Sequence, residues 1–100
     1  MKLMTKALEK NIPSLAECDV ENPTIVAHYF NPCGAGDWYV LGGEKLKNGD
    51  WRFFGYVKLL ENELGYFLLS QLESVELPFG LKIERDLYWT PKQLSEVKEC

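Results

Sequence analysis

Few side chains in this sequence are of a type and spacing that could do chemistry. They are Ser70, the single histidine His28, the cysteines Cys18, Cys33 and Cys100, and two acids two residues apart, Glu84 and Asp86. Ser70 lies in ELGYFLLSQLESV (residues 63–75), where sheet-forming residues give way to a helical pattern. A serine nucleophile at such a turn needs a general base within reach and an acid to orient it. The nucleophile elbow of hydrolases reads G-x-S-x-G, whereas this stretch reads L-L-S-Q-L, without glycine on either side. Ser70 and Glu73 instead form S-x-x-E, a capping box in which each side chain satisfies a backbone N–H at a helix start. A structural role for both residues is the expectation.

His28 with Cys18 and Cys33 gives C-x9-H-x4-C, which fits no common zinc spacing. The pattern predicts no metal site and no cofactor, and His28 reads as a strand residue that is hydrogen-bonded or partly exposed. The cysteines are odd in number and lack C-x-x-C, so they read as free thiols of a reducing cytoplasm, with Cys100 exposed at the end and able to link two chains. Glu84 and Asp86, together with Glu63, are the carboxylates that a metal-dependent nuclease of single-stranded DNA would use, yet no Lys or His accompanies them. Strand alternation puts Glu84, Asp86 and Tyr88 on one face and Ile83, Arg85, Leu87 and Trp89 on the other. Arg85 then falls among apolar neighbours, so it is expected to pair with Glu63 or Glu73 or to lie over an aromatic ring. The GAG at 34–36 lacks the G-x-G-x-x-G spacing of nucleotide sites. Trp38, Tyr39, Trp51, Phe53, Phe54 and Tyr56 crowd two strands and would suit the stacking of single-stranded bases. Only Arg52, Lys58 and Lys45 accompany them, so most of these rings are expected in the core.

The elements that must position these groups follow from local pattern. Thr5 caps a helix to about Asn11, which Pro13 ends. Residues 14–23 are polar and acidic and read as a loop. TIVAHYF (24–30) is β-branched and aromatic on both faces, as in a strand covered on both sides. WYVLGGEKL (38–46) reads as a second strand with a bulge or bend at Gly42-Gly43. Asn48-Gly49 predicts a type I′ turn into a third strand, WRFFGYVKLL (51–60). On that strand Trp51, Phe53, Val57 and Leu59 share one face, Arg52, Phe54, Tyr56 and Lys58 the other, and Gly55 leaves room for a neighbouring ring or a bulge. YFLL (66–69) is a fourth strand, SQLESVEL (70–77) a helix ended by Pro78 and Gly80, and LKIERDLYW (81–89) a last strand. TPKQLSEVKEC (90–100) is expected to be helical, with Thr90 as cap, Pro91 at the first helical position, Gln93 completing a T-x-x-Q box and a Trp89–Leu94 staple. The fold class is α+β: an antiparallel sheet of about four to five strands with short helices packed on it and a C-terminal helix, in a single domain over residues 1–100. Short connections favour pairing of sequence neighbours, but Pro78-Gly80 leaves the position of the last strand open.

Fifteen acids against 11 bases give a net charge of −4, which disfavours nucleic acid as a partner. No run of about 18 apolar residues is present, so no membrane span is expected. The first 14 residues lack an apolar core of about seven and do not read as a signal peptide.

The Trp38-Tyr39 strand, Phe53-Phe54-Gly55, ELGYFLLSQLESV and GLKIERDLYW-x-P (80–91) resemble the DUF2958 family. The similarity covers nearly the whole chain and is most specific in its second half. The family is of unknown function, so the resemblance carries over no catalytic or binding residue. It implies a bacterial, cytoplasmic protein of plasmids or other mobile elements. With no catalytic constellation in view, the expectation is a non-enzymatic interaction module that binds a host or element-encoded protein, anti-defence action being one such role, and is itself a monomer or weak homodimer. Its expected partner-facing residues are Glu61, Glu63, Glu84 and Asp86 with Tyr66 and Tyr88.

Overall fold

The computed structural model describes residues 1–98. The chain forms helix α1 (Lys6–Asn11), strands β1 (Thr24–Ile25), β2 (Ala27–Phe30), β3 (Asp37–Lys45), β4 (Trp51–Lys58) and β5 (Asn62–Leu68), and helix α2 (Leu69–Glu73). A 3₁₀ turn at Pro78–Gly80, strands β6 (Glu84–Arg85) and β7 (Lys92–Gln93) and helix α3 (Leu94–Lys98) follow. The expected α+β architecture is present. Five antiparallel strands run in the order β5-β4-β3-β2-β6, and β1 and β7 make a separate two-stranded ribbon. The last strand therefore returns to β2, at the edge opposite β5.

Alternation along β4 divides two cores between the faces of this sheet. Trp51 and Phe53 join Tyr29, Val40, Phe67, Leu69 and Leu72 in one cluster, against which Leu8 of α1 and the following Ile12 pack. Tyr56 joins Cys18, Ile25, Leu41, Leu94 and Val97 in the other. The register of β3 on β4 shifts between Val40 and Gly42, so Leu41 is the extra residue of a bulge and is buried in the second cluster. The expected bend thus falls one residue before the two glycines. Leu59, expected on the face of Trp51, Phe53 and Val57, lies beyond the end of β4 and is exposed.

Several local expectations are corrected. The Asn48-Gly49 hairpin forms, but only Gly49 has positive φ (90°), so a type I′ turn, which needs two such residues, is absent. Leu46 and Asp50 close a three-residue connection instead, with Leu46 N–H donating to Asp50 O at 2.8 Å. The Ser70–Glu73 capping box is not formed. Helix α2 begins one residue earlier, at Leu69, because Leu69 and Leu72 are then both turned into the core. Its capping acceptor comes from the hairpin: Asp50 accepts from Ser70 N–H at 3.0 Å and from the Ser70 hydroxyl at 2.6 Å. The Ser70 hydroxyl first, then the N–H groups of Trp51 and Ser70, hold the Asp50 carboxyl below its ordinary pKa, and a side-chain cap of this kind is worth about 1 kcal/mol. An S-x-x-E box does occur elsewhere, where Ser14 and Glu17 bond each other's backbone N–H at 2.9 and 3.1 Å. At the carboxyl end Thr90 and Pro91 lie outside the helix. Lys92 and Gln93 are taken by the ribbon with β1, and the Gln93 N–H is bonded by Glu96 at 2.7 Å, which starts α3 at Leu94. Cys100 lies outside the described residues.

Candidate functional site

The two edges of the sheet differ in a way that decides where another chain can pair. The β6 edge is two residues long. Beyond it the chain turns away, because the Asp86 side chain accepts from Tyr88 N–H at 3.0 Å and its carbonyl from Trp89 N–H at 3.3 Å. The β5 edge is seven residues long and carries no proline, no lysine and no register shift, devices that blunt an edge; its one charged residue is Glu63. The Leu68 N–H is bonded to the Gln71 side chain at 2.8 Å and so points away from β4. Backbone groups of an antiparallel pair alternate in direction. Leu64 and Tyr66 therefore also present their N–H and C=O groups outward, while Glu63, Gly65 and Phe67 bond to β4.

A groove of about 400 Å³ runs beside this edge. Its floor on the sheet is Phe54, Leu64 and Tyr66, and Leu15, Val20 and Leu94 stand opposite. Leu64 is 44% exposed and Tyr66 63%, and Leu59 and Leu60 are exposed in the turn that leads into β5. The Tyr66 ring is held on Phe54 (centroids 5.1 Å apart), with the Arg52 guanidinium 5.2 Å from its centre. Unpaired backbone groups and an apolar wall thus lie side by side.

A second cluster centres on His28. Its Nε2 faces Asp37 Oδ1 at 2.7 Å and its Nδ1 faces Asp86 Oδ2 at 3.1 Å. The ring stacks on Tyr39, with centroids 4.5 Å apart and planes 6° from parallel, and Trp89 stands 5.3 Å away. Trp89 is itself fixed by its indole N–H, which donates to Ile25 O at 3.0 Å, and Lys92 lies 5.0 Å over its ring. A His–Asp pair is the base and orienter of hydrolytic triads. Here both ring nitrogens face carboxylates, leaving no nitrogen to activate a nucleophile, and the groove is lined by none of the three residues. With Asp37 on one nitrogen and Asp86 on the other, the two carboxylates also diverge from any single metal position. Among the described residues no group of three or more His, Cys, Asp or Glu is arranged to hold a metal ion. The cluster ties β2 to the start of β3 and to the chain after β6.

The family model described as a protein of unknown function, DUF2958, matches residues 2–99. The chain belongs to the DUF2958 family. No curated protein and no solved structure matches it.

The six partner-facing residues read from the sequence of this DUF2958 chain separate into two groups. Glu61, Glu63 and Tyr66 are exposed on or beside β5. Glu84 and Asp86 are half-buried at the opposite edge with an exposed Tyr88, and Asp86 is committed to His28. Four strand spacings of about 4.8 Å separate the edges, so Glu63 lies on the order of 19 Å from Glu84 and Asp86 across the sheet. A nuclease centre built on these three is not assembled. Arg85 does face the Tyr29 side, opposite Glu84, as alternation requires. Its expected pairing with Glu63 or Glu73 is not made among the described residues, and its buried Nε has no partner there. Leu87 and Trp89 leave the expected strand at the Asp86 turn, Leu87 to solvent and Trp89 to the second core. The six aromatic rings considered for base stacking are shared between the two faces of the sheet, with Trp51, Phe53 and Tyr56 buried. Among the described residues no helix is long and apolar enough to cross a membrane. Cys18 is a buried free thiol whose pKa burial pushes up, and Cys33 is free and exposed.

Proposed function

We propose that this DUF2958 chain is a non-enzymatic interaction module that receives an extended segment of another protein on the outer edge of β5. The observation that carries this reading is the seven-residue, unblunted edge whose outward Leu64 and Tyr66 also form the floor of the groove. Strand addition uses the two features that occur together here: free backbone groups give affinity, and a pocket for alternate side chains gives specificity. The partner we favour is a host or element-encoded protein of a bacterium that carries the family on mobile DNA.

The test uses Leu64→Pro. Proline at residue 64 removes an outward N–H and leaves the β4 ladder bonds of Glu63, Gly65 and Phe67 in place, as prolines on natural sheet edges do. Wild-type and variant chains, matched by circular dichroism, serve as baits in bacterial lysate. Proteins bound to wild type are expected to be reduced at least about tenfold on the variant, a loss of about 1.4 kcal/mol or more. Recovery of the same proteins by both baits would contradict the assignment of β5 as the binding edge.

A further inference from the structure

On the basis of this edge reading, the geometry points to an extended segment of alternating apolar and basic residues as the occupant of β5. Leu64 and Tyr66 alternate with Glu63 and Gly65 along the strand. One side of an added strand therefore meets the groove, and the other meets Glu63 across Gly65, where a side chain would find open space. The acids around this edge are unmatched. Glu61 and Glu63 are exposed at its beginning, Asp19 and Glu21 line the groove, and none of the four makes an ion pair among the described residues. The nearby bases are fewer, and one of them, Lys98, lines the groove with Asp19 and Glu21. Arg52 bonds Glu44 at 3.2 Å, Lys58 donates to Val97 O at 3.2 Å, and Lys98 lies 5.9 Å over the Tyr56 ring. An incoming apolar strand without positive charge would leave these carboxylates uncompensated beside buried surface. Lysine or arginine at every second position would meet Glu63, and Glu61 beside it, on the face away from the groove, while Asp19 and Glu21 add to the attraction at longer range, with a gain in both encounter rate and selectivity.

The probe is a blocked, fluorescein-labelled heptapeptide of alternating lysine and valine, titrated by fluorescence anisotropy against a glutamate–valine counterpart. The lysine probe is expected to bind at least about tenfold more tightly than the glutamate probe and to weaken as salt rises. The Glu61→Gln, Glu63→Gln double variant should lower its affinity about fivefold, as two exposed ion pairs would. Leu64→Pro should abolish binding. Equal affinity of the two probes, or no binding of the lysine probe at millimolar protein, would overturn the assigned chemistry. If the glutamate probe binds as tightly as the lysine probe and is sensitive to Leu64→Pro, the edge reading stands and the basic partner falls. Lysine-probe binding indifferent to Leu64→Pro would remove the edge itself. Sedimentation as a dimer that Leu64→Pro dissociates would give β5 to a second copy of the chain and likewise overturn the inference.

Discussion

Gly55→Ala is expected to destabilise the fold by at least about 4 kcal/mol. A Cβ at residue 55 would lie 2.0 Å from the carbonyl oxygen of Tyr39 and 2.9 Å from its carbonyl carbon. Both are backbone atoms of the neighbouring strand in the middle of the sheet, so no rotamer change relieves the clash. The strands β3 and β4 would have to separate where Val40 and Phe53, both fully buried, pack. Overpacking of this severity costs at least about 4 kcal/mol, a large part of the roughly 5–15 kcal/mol that holds a domain of this size together. Gly65, directly across on β5, supplies the control, because an added Cβ there has no neighbour within 4 Å. Gly65→Ala should therefore change stability by less than about 1 kcal/mol, with any gain coming from the unfolded chain. Urea denaturation of the two variants checks both statements. A Gly55→Ala protein with a wild-type midpoint would mean that β3 and β4 do not approach as described.

The second large effect is expected at His28. Its side chain is 13% exposed and stands between two carboxylates while stacked on Tyr39. His28→Ala removes both hydrogen bonds and the stacking, and it leaves Asp37 and Asp86 facing a cavity with no imidazole between them. The cost should be about 2–4 kcal/mol, with the thermal midpoint falling by about 4–8 °C for each kcal/mol. Neutralising the carboxylates in that background, by Asp37→Asn with Asp86→Asn, should return part of the loss, because the uncompensated charge is then gone. Additive losses in this cycle would show that the three residues act independently rather than as one clamp.

The core strands were legible in the sequence because each alternates or is apolar throughout, and Gly55 read there as leaving room for a neighbouring ring or a bulge, where the Phe67 ring and, closer still, the Tyr39 backbone in fact approach. What was not legible depends on residues far apart in the chain. Asp37 and Asp86 stand 9 and 58 positions from His28, and no spacing rule joins them. The available signal was the presence of an imidazole in an otherwise apolar strand, which demands polar partners without naming them. Ser70 and Glu73 matched a local rule, but Asp50, 20 positions away, supplied the acceptor that the rule assigned to Ser70. Thr90 and Gln93 matched another, and the pull of β1 on Lys92 and Gln93 delayed the helix. The partner-facing acids were grouped as exposed charges with no catalytic constellation in view, and their strand order was left open. Strand order, which local pattern does not encode, placed them at opposite edges.

The binding role of β5 is tested most directly by amide hydrogen exchange with and without the lysine–valine probe. In the free chain the outward amides of Leu64 and Tyr66 should exchange rapidly, while Glu63, Gly65 and Phe67, bonded to β4, exchange slowly. At saturating probe, Leu64 and Tyr66 should become protected by at least about tenfold, with their neighbours unchanged, because a new strand has taken up the outward groups. Probe binding that leaves Leu64 and Tyr66 as fast as before, or strong protection of these two amides in the free chain, would contradict a free edge that accepts a partner strand.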